Sequence, residues 1–453
     1  MVAKGLARRG VALGMSLVLT GCGTVGAVKR TIVGPDPNAG PPILSGFIGG
    51  IAADEPRAVL AAKQVLATGG NAADAAVVLG FMLSVTLPSR ASLGSGGACI
   101  AYRPGGDGPN KGVPEAILFT PVAPAASTGD RPAAVPMLAR GLYLLSARYG
   151  SQDFGSLVAP AQLAAGSGFA VSRALANDIA EVAGPLIADP SAAAVFAPGG
   201  TALAEHGNLV QTALAGTLGQ LRSVGVGDMY QGLLAHKLVE ATAQAGGGMG
   251  LEDLRQARAT LAQPLVVQAG RNQVALLPEP TDGGLAASAA LAVLQHDAND
   301  DQDAGNAAIG AAARARGTTA LPNLPASTSF VVVDRKGGAV ACALTMDNLF
   351  GTGRIAPGTG ILLAASPRAK PLPLLEAGIG WNANADEIRA AVGASGQASA
   401  ALAEAAGLSR ALGGAAPGEV PDPGRTNAAY CTGGAESCRF ATDPRGAGLA
   451  TGG

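Results

Sequence analysis

Histidine, charge and cysteine are all scarce in this chain of 453 residues. Its three histidines, His206, His236 and His296, stand far apart and offer no metal-ligand spacing, which argues against a His/Cys zinc centre. Charged residues make up 14% of the sequence and the formal net charge is -1, with no strongly basic block in the body, so no nucleic-acid partner is expected. The 48% hydrophobic share excludes a disordered or acidic-tail protein. What is abundant is small: 67 glycines, beside a hydrophobic complement rich in alanine, point to close helix packing. The length fits one large domain or two to three smaller ones. No internal repeat is visible, and no metal or other cofactor is expected.

The N-terminus carries an address. MVAKGLARRG supplies Lys4, Arg8 and Arg9, VALGMSLVLT a short apolar run, and LTGC ends it at Cys22. Residues 1–21 read as a signal peptide, too short for a spanning helix. Leu19-Thr20-Gly21-Cys22 is similar to the bacterial lipobox, in which the cysteine thiol accepts the lipid and becomes the first residue of the mature protein. The expectation is a lipid-anchored protein of the bacterial cell envelope, with residues 22–45, rich in Pro and Gly, as its tether. Cysteine usage fits an oxidising compartment: Cys431 and Cys438 bracket a short loop and are a disulfide candidate. Cys99 and Cys342, inside apolar runs, are expected to be buried, unreactive thiols.

Along the body, IGGIAAD reads as a strand and PRAVLAAKQVLATGG as a helix capped by Asp54, with Pro56 in its first turn and Gly69-Gly70 at its end. NAADAAVVLGFMLSVTL opens a second, buried helix. The middle third has helical spacing, with Ser151, Ser172 and Asp253 as capping signals. VVQAGRNQVALLPEPTDGG alternates as strands do, and QHDANDDQDAGNAA reads as a solvated loop. From Ser327 two strands follow, joined by a turn over Asp334 to Gly338. Strands in both halves with helices around them predict an α+β sandwich.

The abrupt start STSFVVVD after LPNLPA has two readings. Hydroxyl residues often sit where a loop becomes a strand. Alternatively, the chain is cut between Ala326 and Ser327, so that the Ser327 hydroxyl is a nucleophile and its new amine the base.

The ordered motifs AADEPRAVLAAKQVLATGGNAADAAV, LPSRASLGSGGACIAY, MYQGLLAHKLVE, PEPTDGG and STSFVVVDRKGGAVACALTMDNLFGTGRIAPGTGILL resemble the gamma-glutamyltransferases, or glutathione hydrolases, a family of N-terminal-nucleophile hydrolases. The resemblance runs from about Phe47 to Leu363 and implies a four-layer αββα fold, made as one chain and self-cut into residues 46–326 and 327–453, which stay associated. It puts Ser327 where the family has its nucleophilic threonine, with Thr328 as a fallback one residue out of register. Thr345 falls where a threonine orients that nucleophile, and Asp347 where an asparagine lies near the substrate. Gly393 to Gln397, GASGQ, stand where the family's oxyanion turn lies, so Gly396 and Gln397 are candidate substrate-binding residues.

Other positions depart from the family. Its arginine for the γ-glutamyl carboxylate is replaced by Thr120, beside Pro121, and a carboxylate without a bidentate arginine loses its main charged partner. The acidic residue after GILL has no counterpart in AASPRAK, and the paired serines fall on Pro373 and Leu374. Two functions therefore stand as expectations: an amidohydrolase or acyltransferase working on a small-molecule γ-glutamyl compound or another amide, or a non-catalytic envelope lipoprotein that keeps the fold.

Overall fold

The computed structural model describes residues 44–453 except 106–111, 127–128, 282, 297–301, 317–326, 370–374, 421 and 453. The lipobox at Cys22, nearly all of the tether, Ala326, Pro373 and Leu374 lie outside the described residues. Thirteen strands matter here, in chain order: β1 Gly49–Ala53, β2 Gly96–Tyr102, β3 Glu115–Phe119, β4 Thr260–Ala262, β5 Leu265–Ala269, β6 Asn272–Leu276, β7 Ser327–Asp334, β8 Ala339–Thr345, β9 Glu376–Asn382, β10 Glu387–Ser395, β11 Arg425–Cys431, β12 Cys438–Thr442 and β13 Leu449–Gly452.

They form two antiparallel sheets. The first has the order β13-β1-β7-β8-β2-β3-β4, the second β12-β11-β10-β9-β6-β5. Three hydrophobic clusters fix the layers. One joins the outer face of the first sheet (Ile51, Cys99, Phe330, Val332) to helices such as Ala72–Thr86. A second lies between the sheets, with Val331, Val333 and Ala341 against Ala377, Ile379 and Ala391. The third joins the far face of the second sheet (Val274, Val392) to the helices Gly283–His296, Gln302–Arg316 and Ala400–Leu412. This is the four-layer αββα sandwich that the resemblance implies.

The sequence on either side of Ser327 is interleaved in both sheets. β7 and β8 are inserted between β1 and β2, and β13 closes the first sheet's edge on β1. In the second sheet β9 pairs with β6. Strands before and after Ser327 thus share both sheets.

Local expectations hold with specific exceptions. The helix Ala72–Thr86 is buried along its whole length, and Asn71 caps it in a capping box with Asp74. The helix Pro56–Ala67 is capped by Glu55, which accepts from the Ala58 N–H at 2.8 Å, and not by Asp54. Of the adjacent acids in Asp54-Glu55-Pro56, only Glu55 is Ncap, leaving Asp54 for a tertiary contact. Ser172 caps as expected, whereas Ser151 donates to the buried Asp74 and Asp153 caps the helix Phe154–Ser167. Asp253 lies in the first turn of its helix, accepting from Gly250 N–H. The helix Gln302–Arg316 begins inside the segment expected as a loop, residues 295–308, and its Ala308 joins the third cluster; alanine propensity and burial outweigh the polar flank. Among the described residues, no helix is long and apolar enough to cross a membrane.

Candidate active site

All eight residues of β7 are buried, so hydrophobic alternation does not by itself decide which face each residue takes. The pairing does. Val331 and Val333 belong to the core between the sheets, while Phe330 and Val332 face the helical layer. With the strand period of two, Ser327 and Ser329 share the inter-sheet face and Thr328 takes the other. Ser327 is fully buried at the first position of the strand, and its Oγ has no hydrogen-bond partner among the described residues.

A polar row crosses the end of the first sheet at this point. Thr345 is directly opposite Ser327 on one side and Gly96 on the other. Gly97 pairs with Phe119, which brings Thr120 beside Gly96. A side chain at Gly96 would run into the backbone of Phe119 and Pro121, so glycine permits this close approach. The Thr345 hydroxyl accepts from the Asp347 N–H at 2.8 Å. Asp347 is buried in the left-handed region, with φ 58°, at the turn that follows β8.

The second sheet closes over the row. Gly393 in β10 approaches Ser329 so nearly that an added Cβ would lie 2.9 Å from the Ser329 Cβ. Three residues on, Gly396 has φ 112° and abuts the Pro423 backbone, a position only glycine tolerates. Gln397, with φ 55° and also buried, starts the short helix Gln397–Ser399.

Thr328, on the opposite face, donates from Oγ1 to Asp54 Oδ2 at 2.7 Å. The other oxygen of Asp54 accepts from Asn427 Nδ2 at 2.8 Å, and the same amide donates to the Ser329 carbonyl at 2.9 Å. Asp54 and Asn427 therefore tie β1 of the first sheet and β11 of the second to the two residues that follow Ser327. Neither stood out in the sequence as a site residue: Asp54 reads as a helix cap, and Asn427 lies past the end of the motif-bearing segment. Behind the second sheet, Glu376 and Glu404 are both fully buried. Burial, and then the nearby Glu376 carboxylate, raise the Glu404 carboxyl well above its ordinary range.

Cysteine chemistry differs from expectation. Cys99 and Cys342 are not free thiols but a disulfide, because β2 and β8 are adjacent and set them directly opposite. Cys431 and Cys438 also form a disulfide, across β11 and β12. No group of three or more His, Cys, Asp or Glu suited to a metal ion occurs among the described residues.

The gamma-glutamyltranspeptidase family model matches residues 58–315, more than half of the chain. The chain belongs to this family. A glutathione hydrolase proenzyme of Bacillus subtilis (strain 168) is 30% identical over 263 residues, covering 55% of this chain and 44% of that protein. An acylase proenzyme of Pseudomonas sp. (strain SE83) is 30% identical over 269 residues, 55% of this chain and 48% of that protein. The chain thus spans about half the length of these curated relatives. A cephalosporin acylase from Bacillus halodurans shares the fold, with a TM-score of 0.72 over 92% of this chain and 98% of that one, at 18% identity.

Proposed function

We propose that this family member is an N-terminal-nucleophile amidohydrolase or acyltransferase that cuts itself before Ser327 and carries its acyl intermediate on Ser327 Oγ. The observation that carries the reading is the placement of Ser327: first in its strand, on the inter-sheet face, opposite Thr345, with a buried hydroxyl that nothing described engages. Buried polar groups are nearly always hydrogen-bonded, so an exception calls for an explanation, and a catalytic role is one.

In the cutting step Ser327 Oγ attacks the Ala326 carbonyl carbon. The hydroxyl proton passes to the departing amide nitrogen as the C–N bond breaks, leaving an ester. Water then hydrolyses that ester, giving an Ala326 carboxylate, the free Ser327 hydroxyl and a free α-amine. In turnover the amine takes the hydroxyl proton while Oγ attacks the substrate amide, and returns it to the leaving amine. Water or an acceptor amine resolves the resulting ester. Thr345, held by the Asp347 N–H, orients Ser327, and the backbone N–H groups of Gly396 and Gln397 stabilise the oxyanion, since residues 393–395, expected as part of that turn, are strand residues paired with neighbouring strands.

The substrate is an amide with a weakly held glutamyl head, or none. Thr120 stands where the resemblance places an arginine, and Ala364 and Ala365, both buried, follow Ile361-Leu362-Leu363 where it places an acid. Loss of a charge-assisted pair costs on the order of 2 kcal/mol, a rate factor of tens. A γ-glutamyl anilide should therefore turn over more slowly than an uncharged acyl anilide, with Ser327→Ala as the blank for both. Efficient γ-glutamyl turnover would refute this specificity. The non-catalytic reading draws on the same Thr120 and requires that neither anilide be cleaved. The lipobox adds that Cys22 is acylated: labelled palmitate should enter the wild type and not Cys22→Ala, and equal incorporation would remove the envelope anchor from the account.

A further inference from the structure

We propose that the Cys99–Cys342 disulfide is the covalent join between the two fragments produced by cutting before Ser327. The inference rests on the self-cut proposed above. Cys99 lies in β2, before the cut, and Cys342 in β8, after it, with a sequence separation of 243. The two residues are direct cross-strand partners with Cα atoms 4.1 Å apart, and both are fully buried on the helix-facing side of the first sheet. The other disulfide, Cys431–Cys438, lies wholly after Ser327 and joins nothing across the cut.

The bond balances as a thiol–disulfide exchange. The two thiols give up two electrons and two protons to an oxidised disulfide-bearing partner, which leaves as a dithiol. Because both sulfurs are covered in the native sheet, exchange takes place before β2 and β8 close under the helices, and reductant does not reach the bond while the fold is intact. The consequence appears on unfolding. Two unlinked fragments would be lost to each other by dilution, whereas a joined pair keeps a fixed effective concentration and refolds as one molecule.

The test is a denaturing gel of the full wild-type chain, alkylated before loading and run with and without reductant. The expected result is one band without reductant and two with it, the smaller starting Ser-Thr-Ser-Phe. The Cys342→Ser variant should show two bands in both lanes. A disulfide-linked peptide pair carrying Cys99 and Cys342, found by mass spectrometry of the unreduced wild type, supplies a readout that does not depend on a variant folding. Two wild-type bands without reductant would overturn the join while leaving the cut in place. One band in both lanes would overturn the cut, and the join with it.

Discussion

At the turn of the β7–β8 hairpin, the buried Asp334 carboxylate accepts from the backbone N–H groups of Ala72, Lys336 and Gly338 at 2.8–3.0 Å. At the open end, about one strand length away, the equally buried Ser327 Oγ has no partner among the described residues. Both are polar groups in the same hairpin under the same layers, yet one is saturated and the other is not. Three N–H donors fix the turn and dock the helix Ala72–Thr86, so the Asp334 bonds serve the fold. On the function proposed above, the Ser327 hydroxyl, without a partner among the described residues, serves chemistry, because it has no hydrogen bond there to break before it attacks.

Substitutions at the two ends should therefore act in opposite ways. Asp334→Ala removes one acceptor from three buried donors and should cost roughly 3 kcal/mol in urea unfolding, while leaving the cut at the same bond. Ser327→Ala deletes a hydroxyl without described partners. It should change stability by no more than about 0.5 kcal/mol while abolishing the cut. Equal stability losses at the two positions would erase the contrast.

A smaller effect is expected at Asp54. Its bonds to Thr328 and Asn427 hold the residues after Ser327, so Asp54→Ala should lower stability by about 1–2 kcal/mol. It should also slow appearance of the small fragment, with Asp54→Glu recovering part of the rate. An unchanged cutting rate would show that this network supports the fold alone.

The smallest effect concerns the buried carboxyl behind the second sheet. Burial and the neighbouring Glu376 raise the Glu404 carboxyl, so the folded state holds its proton more tightly than the unfolded chain. Its contribution to stability is complete below about pH 4.3 and is lost as pH rises through the folded-state value. Glu404→Gln carries no charge to desolvate. Relative to it, the wild type should lose melting temperature as pH is raised from about 5 to 8. Parallel curves for the two proteins across that range would contradict the assignment.

The sheets, their helical cover and the β7–β8 hairpin were legible because local signals agree there: capping at Ser172, alternation from Val266, the glycine-rich turn after Asp334. What stayed hidden depends on which strands become neighbours. Cys99 and Cys342 each sit in an apolar run that reads as core, and only the β2–β8 pairing turns two buried thiols into a bond. Asp54 offers a sound local cap, and the competing partners, Thr328 and Asn427, are remote in sequence. The face taken by Ser327 is likewise a tertiary fact, since a strand buried on both sides carries no alternation to read.

The central claim is that Ser327 becomes a free N-terminus whose hydroxyl attacks. Purified wild-type protein, incubated, reduced and denatured, should give an intact mass for residues 327–453 and an Edman sequence Ser-Thr-Ser-Phe. Ser327→Thr should give the corresponding fragment, and Ser327→Ala a single uncut chain. A fragment starting Thr-Ser-Phe would move the nucleophile to Thr328, and a wild-type chain that stays whole would contradict the account.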